Sequence, residues 1–398
     1  MAYRAFTQKE EMNMDLKIYA KTIEAEAQEQ VYRMAKSEAY SGCQIRIMPD
    51  CHAGKGCTVG TVIKIKNRVV PNTVGVDIGC GMLVCALGSV DVDLERLDKV
   101  INEKIPYGFA SHERPIKNYE LLALLKCGKS IDFGNAYRQI GSLGGGNHFI
   151  EVNVDDKGNK YLVIHSGSRH LGVEVCKYYQ DLAYRNLNEV GAMKKALVER
   201  LKAEGREREI ESEWKKFQRP KCDRELTYLE GEDLQDYLHD MAIVQGYASV
   251  NRETMADIIL KNMGLRAIDK FETIHNYVDI TNGIVRKGAV QADIGEMLII
   301  PINMRDGSLI CVGKGNEDWL CSAPHGAGRL LSRSKAKELL NIEDFKASME
   351  GIYTTSVCQS TIDEAPMVYK PMDEIIECIE PTVYIVDIIK PIYNFKAK

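Results

Sequence analysis

The 398 residues are 45% hydrophobic and 27% charged, the balance of a globular chain with a large core, long enough for two or three average domains. A net charge of −5 supplies no global basic field, so contact with nucleic acid must come from a local basic cleft. No apolar run approaches the roughly 20 residues of a membrane span. Met1 to Lys9 lacks the apolar core of a secretion signal, and the twelve cysteines are scattered without framework spacing. Reduced thiols in a cytoplasmic protein, with no membrane contact, are the expectation.

In chain order, apolar positions at helical spacing predict an amphipathic helix over Leu16 to Ser37. Ile45 to Pro49 reads as a strand leading into Pro49-Asp50-Cys51-His52-Ala53-Gly54-Lys55-Gly56-Cys57, a loop suited to holding phosphate or orienting a ligand. Val59 to Ile65 and Arg68 to Val70 read as a hairpin about Lys66-Asn67. It feeds a short strand, Val74 to Val76, and a glycine turn that presents Asp77 and Cys80. Ile101 to Lys129 is weakly patterned. A triple glycine, Gly144 to Gly146, opens onto a strand with His148, Ile150 and Val152 on one face and Asn147, Phe149 and Glu151 on the other. Tyr161 to Ile164 is a strand that delivers His165 beside Arg169.

From Cys176 to about Gly264 (176–264) helical periodicity dominates, around a densely charged stretch, Gly205 to Glu225, that reads as a solvated face. This predicts a helical excursion carried on one catalytic domain. Met297 to Val312 and Val383 to Ile389 read as further strands, and a helix over Ala327 to Leu340 would put Arg329 and Arg333 on one face near its N-terminus.

Four of the eight histidines, His148, His165, His275 and His325, lie at strand ends or beside glycines. Asp77, Cys80, His148, His165 and His275 together offer oxygen, sulfur and nitrogen donors, a set suited to Mn, Zn, Fe or Co and ill-suited to Mg alone. Five ligands exceed one tetrahedral site and match two ions bridged by a thiolate, an arrangement that serves phosphoryl transfer. His325, flanked by Gly326 and Gly328 and followed by two arginines, has the surroundings of a nucleophile that attacks phosphorus. A further metal ligand or a capping turn are the alternatives.

At these residues the chain resembles the RtcB family of RNA ligases. The shared blocks are Met48-Pro49-Asp50, Val74 to Met82, Gly144 to Val152, His165 to Arg169, His275-Asn276, Arg286 to Ala289, His325 to Arg329 with Ser332-Arg333, and Asp363 to Pro366 with Tyr369-Lys370. The resemblance implies an α+β fold in which 1–398 form a single RtcB-type catalytic domain with mixed sheets. It also implies two Mn²⁺ ions, GTP, and an RNA whose 3′-phosphate or 2′,3′-cyclic phosphate end is joined to a 5′-hydroxyl end, with an archease-like activator as a further partner. By the same resemblance Cys80, His165 and His275 hold one ion, and Asp77, Cys80 and His148 the other. His325 carries the guanylate. Asn147, Phe149, Glu151, Asn276, Ala327, Gly328, Tyr369 and Lys390 line its pocket, and Arg169, Arg329 and Arg333 contact phosphate.

Two stretches depart from the family pattern. Pro301 to Ser308 stands where the family has Pro-Gly-Ser-Met-Gly, and Lys390 is followed by Pro391 and a tail in place of a terminal Lys-Gly. Pro391 is expected to turn that tail away from the nucleotide. Competing readings are a dinuclear phosphoesterase acting on RNA ends, which needs the metals and not His325, and a non-ligating protein that binds RNA ends.

Overall fold

The computed structural model describes residues 15–54, 56–188, 190–216 and 223–397. Lys55 of the predicted ligand loop and residues 217–222 of the charged stretch lie outside the described residues.

The first sheet has five strands, in the order Asp15–Ile18, Gln44–His52, Val59–Lys64, Ile284–Lys287 and Asn276–Asp279. Its first pair is parallel and the others antiparallel. A second sheet has seven antiparallel strands: Met297–Asn303, Gly307–Gly313, Val383–Lys396, Phe149–Val154, Lys160–Ser166, Gly81–Gly88 and Asp269–Ile274. Ala289–Gln291 and Ser322–Pro324 form a small ribbon. The fold is α+β with mixed sheets, as expected.

The two faces of the seven-stranded sheet do different work. Ile150, Val152, Leu162, Ile164, Leu83 and Cys85 pack outward on the helices Leu94–Lys104 and Gly231–Met263. The alternate residues Met82, Val84, Phe149 and Val163 pack on the opposite face with Ile299, Ile310 and Ile389. Phe149, His165 and Met82 are successive cross-strand partners, so His165 lies on that inner face. Period-two alternation thus supplies core on one side and site on the other.

Several local expectations give way to tertiary pairing. Asp15–Ile18 is a strand whose Leu16 and Ile18 align with Ile45 and Ile47, and the helix starts only at Ala25. Val59–Lys64 does not pair with Arg68 to Val70. It lies between Gln44–His52 and Ile284–Lys287, while Val69 bridges Leu229. Pro71–Val74 is one helical turn with proline in its first turn, ended by Gly75 at φ 92°, so no strand precedes Asp77. The predicted helix after His325 begins at Arg333, capped by the Ser332 side chain. Gly328 sits at φ 75° and Arg329 bridges Tyr369, which breaks any helix there. Finally, Pro391 does not divert the tail. The strand runs to Lys396 and pairs with Phe149–Val154 across a register shift at Pro391–Tyr393, the kind of irregularity where proline is tolerated.

The 33-residue helix Gly231–Met263 braces the site loops. Its Arg252 is wholly buried. Nη1 donates to the carbonyls of Gly79 (2.7 Å) and Ser166 (2.6 Å), and Nε to Glu272 (2.7 Å). Asn251 accepts from the backbone N–H groups of Gly141 and Ser142 and donates to the carbonyl of Gly167. Removing one partner of a buried ion pair costs about 3–5 kcal/mol. Arg252→Leu is therefore expected to lower the unfolding free energy by about that amount in urea titration, and Glu272→Gln, at the wetter end of the pair, by less.

Candidate metal centre and active site

Each of the five predicted metal-binding residues lies at a strand end or in a turn. Asp77 and Cys80 occupy one turn, closed by the Cys80 N–H on the Asp77 carbonyl. His148 immediately precedes Phe149–Val154, and His165 is the penultimate residue of its strand. His275 sits where the chain leaves the seven-stranded sheet for the five-stranded one, its N–H on the Cys80 carbonyl. Glycine opens the space. A Cβ on Gly167 would stand 2.1 Å from Asp77 Oδ1, and one on Gly144, at φ 93°, 1.9 Å from Arg169 Nη1.

The donor atoms converge. Cys80 Sγ is 3.4 Å from His148 Nε2 and 3.3 Å from His165 Nε2, and His165 Nε2 is 3.3 Å from His275 Nε2. His148 Nε2 is 2.9 Å from Asp77 Oδ2. Cys80, His165 and His275 form one group able to hold an ion, and Asp77, Cys80 and His148 another. Donors bound tetrahedrally at 2.0–2.3 Å stand about 3.3–3.8 Å apart, so most of these spacings are those of ligand shells.

Protonation supports the same conclusion. His148 Nδ1–H donates to the Leu143 carbonyl at 3.0 Å, which leaves Nε2 facing the Asp77 carboxylate and the Cys80 thiol. That contact is satisfied by a proton on the ring or by a cation shared with Cys80. Burial, reinforced by neighbouring imidazoles, holds His165 and His275 far below the usual imidazole range. Their Nδ1 atoms have no hydrogen-bond partner. Burial opposes the charge on Asp77, yet His148 keeps its carboxyl below the ordinary range. Burial and the Asp77 charge push the Cys80 thiol well up, so an ion must supply the drive to ionise it.

His325 follows the strand Ser322–Pro324. Its Nδ1 is 2.7 Å from Asp50 Oδ2, which also accepts the backbone N–H groups of His325 and Gly326 at 3.1 and 3.2 Å. Asp50 is wholly buried. This contact assigns the proton to Nδ1 and leaves Nε2 with a lone pair. The rings of His148, His165, His275 and His325 form a file, with successive centroids 5.2, 5.0 and 4.8 Å apart.

The other predicted residues divide. Asn147, Phe149, Glu151 and Tyr369 line one slot with His165, Gly326 and residues 301–304. Asn276 instead ties the metal turn to the next loop, donating to the Asp77 carbonyl and accepting from the Gly288 N–H. Ala327 and Gly328 belong to the His325 loop, where a Cβ on Gly328 would lie 2.2 Å from the Asp50 carbonyl oxygen. Lys390 is exposed and lines a different depression, with Arg305 and Asp306. The lysine in the slot is Lys396, six residues on in the same strand, roughly 20 Å at extended spacing. Burial, opposed by Lys396 and Asn394, pushes the Glu151 carboxyl up to about 7.

The arginines are not a free anion pocket. Arg333 donates to Asp363 and Glu364, both at 2.7 Å. Arg329 donates to the Asp363 carbonyl at 2.6 Å, and Lys396 to Glu364 at 2.8 Å. Burial opposes ionisation of Glu364, but Lys396, Arg333 and Arg329 hold it down to about 2. Arg169, with a left-handed φ of 60°, lines a cleft of about 860 Å³ beside Asp77, His148 and Arg333. Asp50, Arg252 and Lys396 carry roles that local motifs did not assign, although Asp50 stood in the predicted ligand loop.

A structural core has no use for a buried file of imidazoles whose ring nitrogens meet a thiol and a carboxylate. The site is that of a metal-binding enzyme. Residues 30–138 and 129–397 match the sequence profile of the family described as tRNA-splicing ligase RtcB. The chain is 33% identical to RNA-splicing ligase RtcB1 of Escherichia coli strain ATCC 25922 and 32% identical to RNA-splicing ligase RtcB of strain K12, over 97% of this chain and 98% of each relative. It is 25% identical to tRNA-splicing ligase RtcB of Aeropyrum pernix, over 83% of this chain and 82% of that one. The chain belongs to the RtcB family of RNA ligases.

Cys80→Ser is expected to lose bound metal from both groups, read by elemental analysis of purified protein, because the hydroxyl stays protonated. Metal affinity of the wild type should rise with pH, since binding displaces the Cys80 proton. A pH-independent affinity would exclude thiolate ligation.

Proposed function

We propose that this chain is a GTP- and Mn²⁺-dependent ligase that joins RNA 3′-phosphate or 2′,3′-cyclic phosphate ends to 5′-hydroxyl ends through a histidine–GMP intermediate on His325. The observation that carries this reading is the chain of contacts from Asp50 to His325 to His275. A buried carboxylate fixes one ring nitrogen, the other is left nucleophilic, and the ring lies 4.8 Å from an imidazole of the metal group. That is the arrangement of a nucleophile oriented by a third group. A phosphoesterase using metal-activated water does not need it. The names of the relatives, RNA-splicing and tRNA-splicing ligases, support RNA as the substrate.

In this reading Cys80, His165 and His275 hold one ion, and Asp77, Cys80 and His148 the second. When bound, the ions supply charge neutralisation at the attacking and leaving oxygens. His325 Nε2 attacks the α-phosphorus of GTP, a P–N bond forms and pyrophosphate leaves. The RNA 3′-phosphate, opened first if cyclic, then takes the guanylate from His325. A 5′-hydroxyl attacks the activated end, the phosphodiester forms and GMP leaves. Asn147, Phe149, Glu151 and Tyr369 surround the guanylate, and Lys396 takes the part expected of Lys390. Arg169 and Arg333 face the RNA phosphates. Cys80, Cys85, Cys127 and Cys311 are buried free thiols, which supports a cytoplasmic setting, and no helix among the described residues is long and apolar enough to cross a membrane. An archease-like activator belongs to the same proposal.

The first test is incubation with labelled GTP and Mn²⁺. Wild type should form an acid-labile protein–GMP adduct, and its absence overturns the reading. His325→Ala should form none, yet should still seal RNA supplied with a 3′-guanylate cap. Asp50→Asn should slow adduct formation on the order of 10²-fold or more, the lower end of what a positioned proton partner contributes.

Glu151 generates a pH prediction. Ionised, its carboxylate accepts from the guanine edge with both oxygens; protonated, it keeps one acceptor oxygen and turns the other into a donor. GMP affinity is therefore expected to rise as pH climbs through about 7, measured by calorimetry, and Glu151→Gln should remove that component of the rise.

A further inference from the structure

We propose that Phe109 is a stacking platform for the terminal base of the 5′-hydroxyl RNA strand, a role that rests on the ligase reading above. Phe109 is fully exposed. It does not sit on a stray loop. It lines the 860 Å³ cleft whose floor includes Asp77 and His148. Its turn is fixed at the base, with the Gly108 N–H on the Gly144 carbonyl at 2.8 Å, Arg169 Nη2 on the Gly108 carbonyl at 2.9 Å, and the Ala110 N–H on the Tyr107 carbonyl at 3.1 Å. The ring is thus held on the rim by the same arginine and glycine loop that shape the metal site.

The chemistry of the rim selects the occupant. Arg169 forms no carboxylate ion pair among the described residues; it donates to the Ser142 hydroxyl and the Gly108 carbonyl, and the Asp77 charge acts on it at longer range. The cleft carboxylates Asp363 and Glu364 are already matched by Arg333, Lys337 and Lys396. An exposed aromatic face beside a guanidinium that is not held in a carboxylate ion pair is the combination that binds single-stranded nucleic acid, the base on the ring and the phosphate on the cation. The file of imidazoles sets the strand. His325, which carries the guanylate, adjoins His275 at one end of the file, and the Phe109 cleft opens on His148 and Asp77 at the other. In-line displacement brings the attacking hydroxyl from the side away from the departing guanylate, which is the Phe109 side.

The test uses full-length protein loaded with Mn²⁺ and RNA oligonucleotides carrying 2-aminopurine at either the 5′-hydroxyl terminal or the 3′-phosphate terminal nucleotide. Binding to wild type should quench the 5′-terminal probe, Phe109→Trp should retain the quenching and Phe109→Ala should lose it. Phe109→Ala should also raise KM for the 5′-hydroxyl strand by about 5- to 150-fold, the range for loss of one base–aromatic stack, with kcat little changed. That increase should vanish for a strand whose first nucleotide is abasic, which a merely structural role would not predict. Quenching confined to the 3′-strand probe, or an equal KM increase with the abasic strand, overturns the proposal. If RNA binds and both probes are unaffected, stacking alone fails. If no RNA of either end chemistry binds, the ligase reading fails with it.

Discussion

One buried guanidinium holds the site together. Arg252 reaches from the middle of a long helix to the carbonyl just before Cys80 and to the carbonyl just after His165, and it neutralises itself on Glu272. Backbone carbonyls at strand ends have no ladder partner and need a donor when buried. Here a single side chain supplies two of them, and with them the relative position of two metal-binding residues. Asn251, one residue earlier, does the same for the loops that carry Gly141 and Gly167. The helix therefore acts as a template on which turns from distant parts of the chain are registered.

That registration gathers polar groups that burial alone does not favour. Imidazole nitrogens 3.3 Å apart beside a buried thiol and a carboxylate are polar groups that a low-dielectric interior penalises and that a cation among them would satisfy. The fold holds them through backbone contacts, such as His275 N–H on the Cys80 carbonyl, that do not depend on the ion. The fold thereby presents a preformed donor set to a cation. The Asp50–His325 pair obeys the same logic, with a wholly buried carboxylate stabilised by one imidazole and two backbone N–H groups.

The arginine and carboxylate cluster redistributes charge more than the motif predicted. Asp363 and Glu364 share Arg329, Arg333 and Lys396 between the cleft and the nucleotide slot. An incoming phosphate would therefore meet cations already oriented by carboxylates, at the cost of competing with them. The C-terminal strand takes part because the register shift at Pro391 keeps it on the sheet, which brings Lys396 beside Phe149 and Glu364.

What the sequence by itself determined was chemistry: the donor types, their setting at glycine turns and strand ends, the odd histidine followed by arginines, and the alternation that puts Phe149 and Glu151 on one face. These are local, and local pattern reports them. What only the tertiary structure decided was which distant groups meet. Asp50 could not be paired with His325, nor Arg252 with the carbonyls of Gly79 and Ser166, because contacts across 86 to 275 positions leave no periodic trace. Leu16 to Ile18 became a strand and Val59 to Lys64 joined a sheet for the same reason: non-local ladders outweigh propensities worth a fraction of a kcal/mol per residue. Lys390 and Lys396 look alike in sequence. The length of an extended strand, and the partner it lies against, separated them.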